Sequence, residues 1–303
     1  PWFYHFYAVH GVSRFARDAH GAADLLAAVP AVDPYVMALV PGIAVVRGKH
    51  EEAYAYLDQL RGLDNATWDL FQAFMLTSGA LPLDAERAAT LAPRLATLDA
   101  ADIHATSFIP PYEDLTIEHT GFQRDYFLAL LRIDLGQMEE ARGLLADLKG
   151  RGGFPGVWSI KEDAELHLEA EFLAHTGDRQ GALDVLRTMD YQTPHASTVW
   201  PMADLGRSRF LRAELERELG DVAVAKRFYI GLDEPWSPWD SYWRPLIYER
   251  LGQLAEDEGH RDEAVLYYGR LLDLWRDCDA ELVATRDEIR ARREALLGGA
   301  PLG

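Results

Sequence analysis

The first candidates for chemistry are His167, Glu171 and His175, in the run H-L-E-A-E-F-L-A-H. Positions i, i+4 and i+8 fall on one face of a helix, so three nitrogen and oxygen donors could converge there. A zinc ion would accept such a set. The run brings no fourth ligand and no H-E-x-x-H spacing, so the reading we take is a polar helix face without metal. A helical domain that binds a ligand or metal through these three residues is kept as the alternative. Gly42-Ile-Ala-Val-Val-Arg-Gly48-Lys49-His50 resembles a phosphate loop but departs from it. Five residues separate the glycines, no Ser or Thr follows Lys49, and no strand precedes, so no phosphate site is read there. Cys278 is the single cysteine. It can form no disulfide within the chain and reads as a small apolar side chain. A G-x-S-x-G elbow, carboxylates paired in a glycine-framed loop and a dinucleotide fingerprint are all missing. The expectation is a non-enzymatic chain with no catalytic residue and no cofactor.

Helices must position these residues, and the sequence repeats them. In Pro245–Arg276, Tyr248, Leu251 and Ala255 share one helical face, and Ala264, Tyr268, Leu271 and Trp275 share another, on either side of Gly259. Gly252 and Ala264 are small where two helices would cross closely. The pattern of a glycine followed five residues later by alanine recurs at Gly48–Ala53, Gly136–Ala141, Gly177–Ala182, Gly220–Ala225 and Gly259–Ala264. Large apolar residues follow each alanine at four and seven positions: Leu57 and Leu60, Leu145 and Leu148, Leu186 and Met189, Tyr229 and Leu232, Tyr268 and Leu271. Trp68, Phe71 and Ala88 suggest a further hairpin with a longer turn, in which Asp84 caps the second helix. Pro41-Gly42 should kink or interrupt its helix. Asp99–Gly121, with Ile109-Pro110-Pro111-Tyr112, reads as the longest linker and the only candidate for a weak division of the chain.

Pro245–Arg276 looks like a tetratricopeptide repeat, a helix–turn–helix unit of about 34 residues. Arg244-Pro245-Leu246, Glu249-Arg250-Leu251-Gly252-Gln253-Leu254, Tyr267-Tyr268 and Leu274-Trp275-Arg276-Asp277-Cys278-Asp279-Ala280-Glu281-Leu282 carry a closer resemblance. They resemble the end of the tetratricopeptide region at the C-terminus of bacterial Ser/Thr protein kinases and winged-helix regulators. Members of that group usually end W-x-D-A-D-P-E-L, and Cys278 and Ala280 depart from it. The resemblance implies an all-α, right-handed superhelix of about six to seven hairpins over residues 1–303, closed by a capping helix at 280–297. It also implies a regulatory or scaffolding module attached to an output domain.

In that register the groove-facing residues are His167, Glu171 and His175, then Arg207, Phe210, Glu214 and Arg217, then Glu249, Arg250 and Gln253. The aromatic loop Trp236, Trp239, Tyr242 and Trp243 could grip a partner, or fill the wedge between helix pairs. The net charge of -19 repels nucleic acid and anionic membranes and favours a basic or mixed-charge protein or peptide. A lone cysteine and the lack of any leader or spanning segment suggest a cytoplasmic protein. The chain begins Pro1-Trp2-Phe3-Tyr4-His5-Phe6-Tyr7 without an initiator Met, so we expect a C-terminal part of a longer protein. A role confined to restraining an upstream kinase or DNA-binding domain is the third reading.

Overall fold

The computed structural model describes residues 18–27, 34–61, 66–106, 117–152, 160–191, 205–233 and 238–298. Among these the chain is all helical, without a strand. The helices are α1 (Ala19–Ala27), α2 (Pro34–Val46), α3 (His50–Arg61), α4 (Ala66–Thr77) and α5 (Ala85–Thr97). Then come α6 (Ala100–Thr106), α7 (Ile117–Asp134), α8 (Met138–Gly150), α9 (Ile160–His175) and α10 (Arg179–Thr188). The last are α11 (Gly206–Leu219), α12 (Val222–Asp233), α13 (Arg244–Asp257), α14 (Arg261–Leu274) and α15 (Val283–Gly298). Two 3₁₀ stretches, Pro238–Trp243 and Ala280–Leu282, precede α13 and α15. Among the described residues no helix is long and apolar enough to cross a membrane. The chain divides into two compact units, Leu57–Asp221 and a second made of Pro1–Tyr56 with Val222–Gly303.

The glycine–alanine spacing does the local work. Gly48, Gly136, Gly177, Gly220 and Gly259 all have positive φ, between 68° and 108°. Each ends its helix in the left-handed conformation that spares glycine a Cβ clash. At Gly136, the Gly136 amide bonds to the Ile133 carbonyl (2.9 Å) and the Gln137 amide to Arg132 (2.8 Å), which satisfies two orphan carbonyls. The alanine five residues on is at most 2% exposed in every case. The residues four and seven further along are buried too, except Leu145, which is half-buried. A Cβ added at Gly136, Gly177 or Gly259 meets no atom within 4 Å. Replacing Gly177 by Ala is therefore expected to cost only the backbone term, about 1–2 kcal/mol, read from the urea midpoint at unchanged m.

The first helices carry the opposing small residues, with Ala129, Ala170 and Ala213 buried at the place that Gly252 fills in α13. Asp84 caps α5 as its sequence suggests, accepting from the Arg87 amide at 3.0 Å. The last helix also follows the pattern, burying Ile289 and Leu296 and packing on α14.

Two local expectations hold at most in part. α2 runs through Pro41 without interruption. Gly42 is needed there for space rather than for a break, because an added Cβ would lie 1.9 Å from the Tyr242 ring. The presumed linker 99–121 is partly helical, since α6 and the start of α7 fall inside it. Ile109–Tyr112 lies outside the described residues, as do Trp2–Tyr7.

Candidate functional site

The histidine run lies on α9, in unit Leu57–Asp221, and its residues meet an arginine from α11. The Arg207 guanidinium uses all five of its N–H groups. Nε donates to Glu171 Oε1 at 2.6 Å, and Nη2 donates to Glu171 Oε2 at 3.1 Å. Nη1 and Nη2 donate to the two oxygens of Asp134 at 2.8 and 2.7 Å. The remaining N–H, on Nη1, reaches the Thr77 carbonyl at the end of α4 at 2.7 Å. Two bidentate carboxylates on one guanidinium form the strongest ion-pair geometry that side chains offer. The cluster is largely dry, since Glu171 is 3% exposed and His167 is 0% exposed.

His167 completes it. Glu171 Oε1 lies 3.1 Å from Nε2 and can only accept, so Nε2 carries the proton. Nδ1 then accepts the Tyr126 hydroxyl at 2.7 Å. This is the neutral tautomer, in keeping with a pKa that burial lowers against the opposing pull of Glu171. Burial alone would raise the Glu171 carboxyl, but Arg207 and His167 outweigh it and hold it far below the usual carboxylate range. Arg207 is raised by the same two carboxylates despite its desolvation. His175 stands at the edge, donating from Nδ1 to the Glu171 carbonyl at 2.9 Å.

The three residues read as possible zinc ligands therefore come together around a cation supplied by the chain itself. Among the described residues, no three His, Cys, Asp or Glu side chains are placed to share a metal ion.

The other groove residues lie on two helices. On α11, Arg217 Nη2 donates to Glu214 Oε2 at 2.9 Å, and Phe210 is half-buried one turn before. On α13, in the other unit, Gln253 donates to Glu249 at 3.1 Å, and Arg250 lies 3.7 Å from the same carboxylate. Two of the four loop aromatics take the wedge position rather than an open surface. Tyr242 is 2% exposed and Trp243 is 4% exposed, so neither is available to a partner. Trp236 and the Trp239 side chain lie outside the described residues.

Three members of the arginine cluster are not legible as site residues in the sequence: Asp134, Tyr126 and the Thr77 carbonyl. A signal does exist for two of them. Tyr126 stands ten residues before Gly136, as His167 stands ten before Gly177. Asp134 and His175 each stand two residues before the same glycines. Equivalent register positions on α7 and α9, which pack together, face each other.

Comparison with protein-family models, curated proteins and solved structures gives no match.

Proposed function

We propose that the chain is a non-enzymatic protein- or peptide-binding module of a bacterial cytoplasmic regulator, built as a tetratricopeptide-like right-handed superhelix. Repetition is the observation that supports it: five left-handed glycine turns, each followed five residues later by a buried alanine. Helical hairpins stacked in this way generate extended surfaces whose exposed residues are free to vary. The net charge of -19 selects basic or mixed-charge segments as partners. The alternative of metal binding at His167, Glu171 and His175 is disfavoured, because Arg207 already saturates the Glu171 carboxylate.

The test is a peptide array probed with the full chain. Basic peptides are expected to bind, to weaken between about 50 and 300 mM salt, and to weaken further in the Glu214→Lys, Glu249→Lys double variant. Equal retention of acidic and basic peptides, or binding indifferent to both substitutions, would overturn the reading.

A further inference from the structure

One contact within the unit formed by Pro1–Tyr56 and Val222–Gly303 joins residues more than two hundred positions apart, where a simple repeat array touches only its neighbours. The turn between α2 and α3, Arg47-Gly48-Lys49-His50, is basic at three of its four residues. It faces the segment after α14, Trp275–Leu282, which is acidic at alternate positions.

Arg47 Nη2 donates to Asp277 Oδ2 at 2.9 Å. Lys49 Nζ lies 3.8 Å from Asp279, and His50 Nδ1 lies 2.7 Å from Glu281. The backbone locks the register: the Asp279 amide donates to the Gly48 carbonyl at 2.9 Å, and the Glu51 amide donates to Asp279 Oδ2 at 2.9 Å. Gly48 fits a tight gap. An added Cβ would lie 2.8 Å from Leu282 and 3.0 Å from both Cys278 and Trp275. Its φ of +68° disfavours other residues independently of space. His20 adds a second attachment, its Nε2 within 3.2 Å of the Asp273 and Leu274 carbonyls at the end of α14.

The contact is specific in shape, and ion pairs at its rim add to the two hydrogen bonds that set its register. Asp277 and Glu281 are about half exposed, so water and salt screen their ion pairs. Such a contact can open without unfolding the hairpin that carries it. The carboxylate–backbone arrangement on Trp275–Leu282 reads a side-chain sequence, Arg-Gly-Lys, in a left-handed turn.

We propose that Trp275–Leu282 is a docking site for a basic glycine turn, filled in this chain by its own Arg47–His50 as a releasable clasp. The class of partner that could displace the clasp is a protein segment carrying Arg-Gly-Lys in a tight turn. This shares the charge preference proposed above, but the clasp itself does not depend on it.

The test uses the full chain throughout. Hydrogen exchange at residues 50–53 is expected to speed up about tenfold in Arg47→Glu, Lys49→Glu and in Asp277→Lys, Asp279→Lys. The charge swap Arg47→Asp with Asp277→Arg should recover most of the protection, and Asp257→Lys with Asp262→Lys, a charge change equal to that of the second pair but away from the contact, should leave it unaltered. A labelled peptide of residues 43–54 should bind the Arg47→Glu, Lys49→Glu chain, whose site is vacated. It should bind the native chain at least about tenfold more weakly, and bind not at all once Asp277→Lys and Asp279→Lys are added. Unaltered exchange in both charge variants overturns the clasp. Peptide binding that ignores Asp277 and Asp279 overturns the docking site, and neither result depends on the peptide array.

Discussion

Replacing Arg207 by Met is expected to cost about 3–5 kcal/mol, among the largest effects of any single substitution in this chain. The reason is what remains behind. Glu171 and Asp134 would keep their burial and lose the cation that both chelate. Converting all three together, Arg207→Met with Glu171→Leu and Asp134→Leu, should recover much of that loss, because no buried charge is then left unpaired and only the His167 Nε2–H and the Thr77 carbonyl lose a partner. Urea denaturation of the two variants separates the readings. If the single and triple variants lose the same stability, the network is held by packing and not by charge.

The same cluster makes stability depend on pH in a fixed direction. Burial lowers the folded pKa of His167 from 6.5, so protons bind the unfolded chain more readily. Glu171 is lowered from 4.5, so its contribution is complete above that value and lost as the pH falls through it. Both slopes have the same sign. Stability should begin to decline as the pH drops below about 6.5 and fall more steeply below about 4.5. His167→Gln should flatten the upper part and leave most of the lower part, which Arg207 also holds.

Glycine and alanine make the hairpins legible in the sequence, and the physical reason is local. A left-handed turn accepts little but glycine, and a close helix crossing accepts little but alanine, so Gly136–Ala141 and Gly259–Ala264 announce themselves. Pro41 leaves α2 uninterrupted because a proline's missing donor costs one bond, which a buried helix packed against Tyr242 can tolerate. The site was harder to read for a different reason. His167, Glu171 and His175 were visible as a face, but a face does not reveal its occupant. Arg207 comes from another hairpin and Asp134 from a third, and their convergence is a fact of packing. Tyr242 and Trp243 show the same limit, because aromatic loop residues look alike in sequence whether they fill a wedge or greet a partner.

The second large effect is expected at the α13–α14 crossing. Tyr268 is 0% exposed and donates its hydroxyl to Glu256 Oε2 at 2.5 Å. Burial and that carboxylate push its pKa up, so the phenol stays neutral across the working pH range. Tyr268→Ala should cost about 3–5 kcal/mol in lost burial and cavity. Gly252→Ala sits against the same ring, since its Cβ would lie 2.4 Å from Tyr268 Cε1. Helix propensity favours the alanine by about 1 kcal/mol, yet a fully buried ring cannot swing aside, and overpacking costs about 1–3 kcal/mol. The net single effect is a modest loss. In the double variant the ring is gone, the clash vanishes, and the new methyl fills part of the cavity. The two changes should therefore be less damaging together than their sum, by about 1–2 kcal/mol, in a double-mutant cycle from urea midpoints. Strict additivity would mean that Gly252 is small for some reason other than the approach of Tyr268.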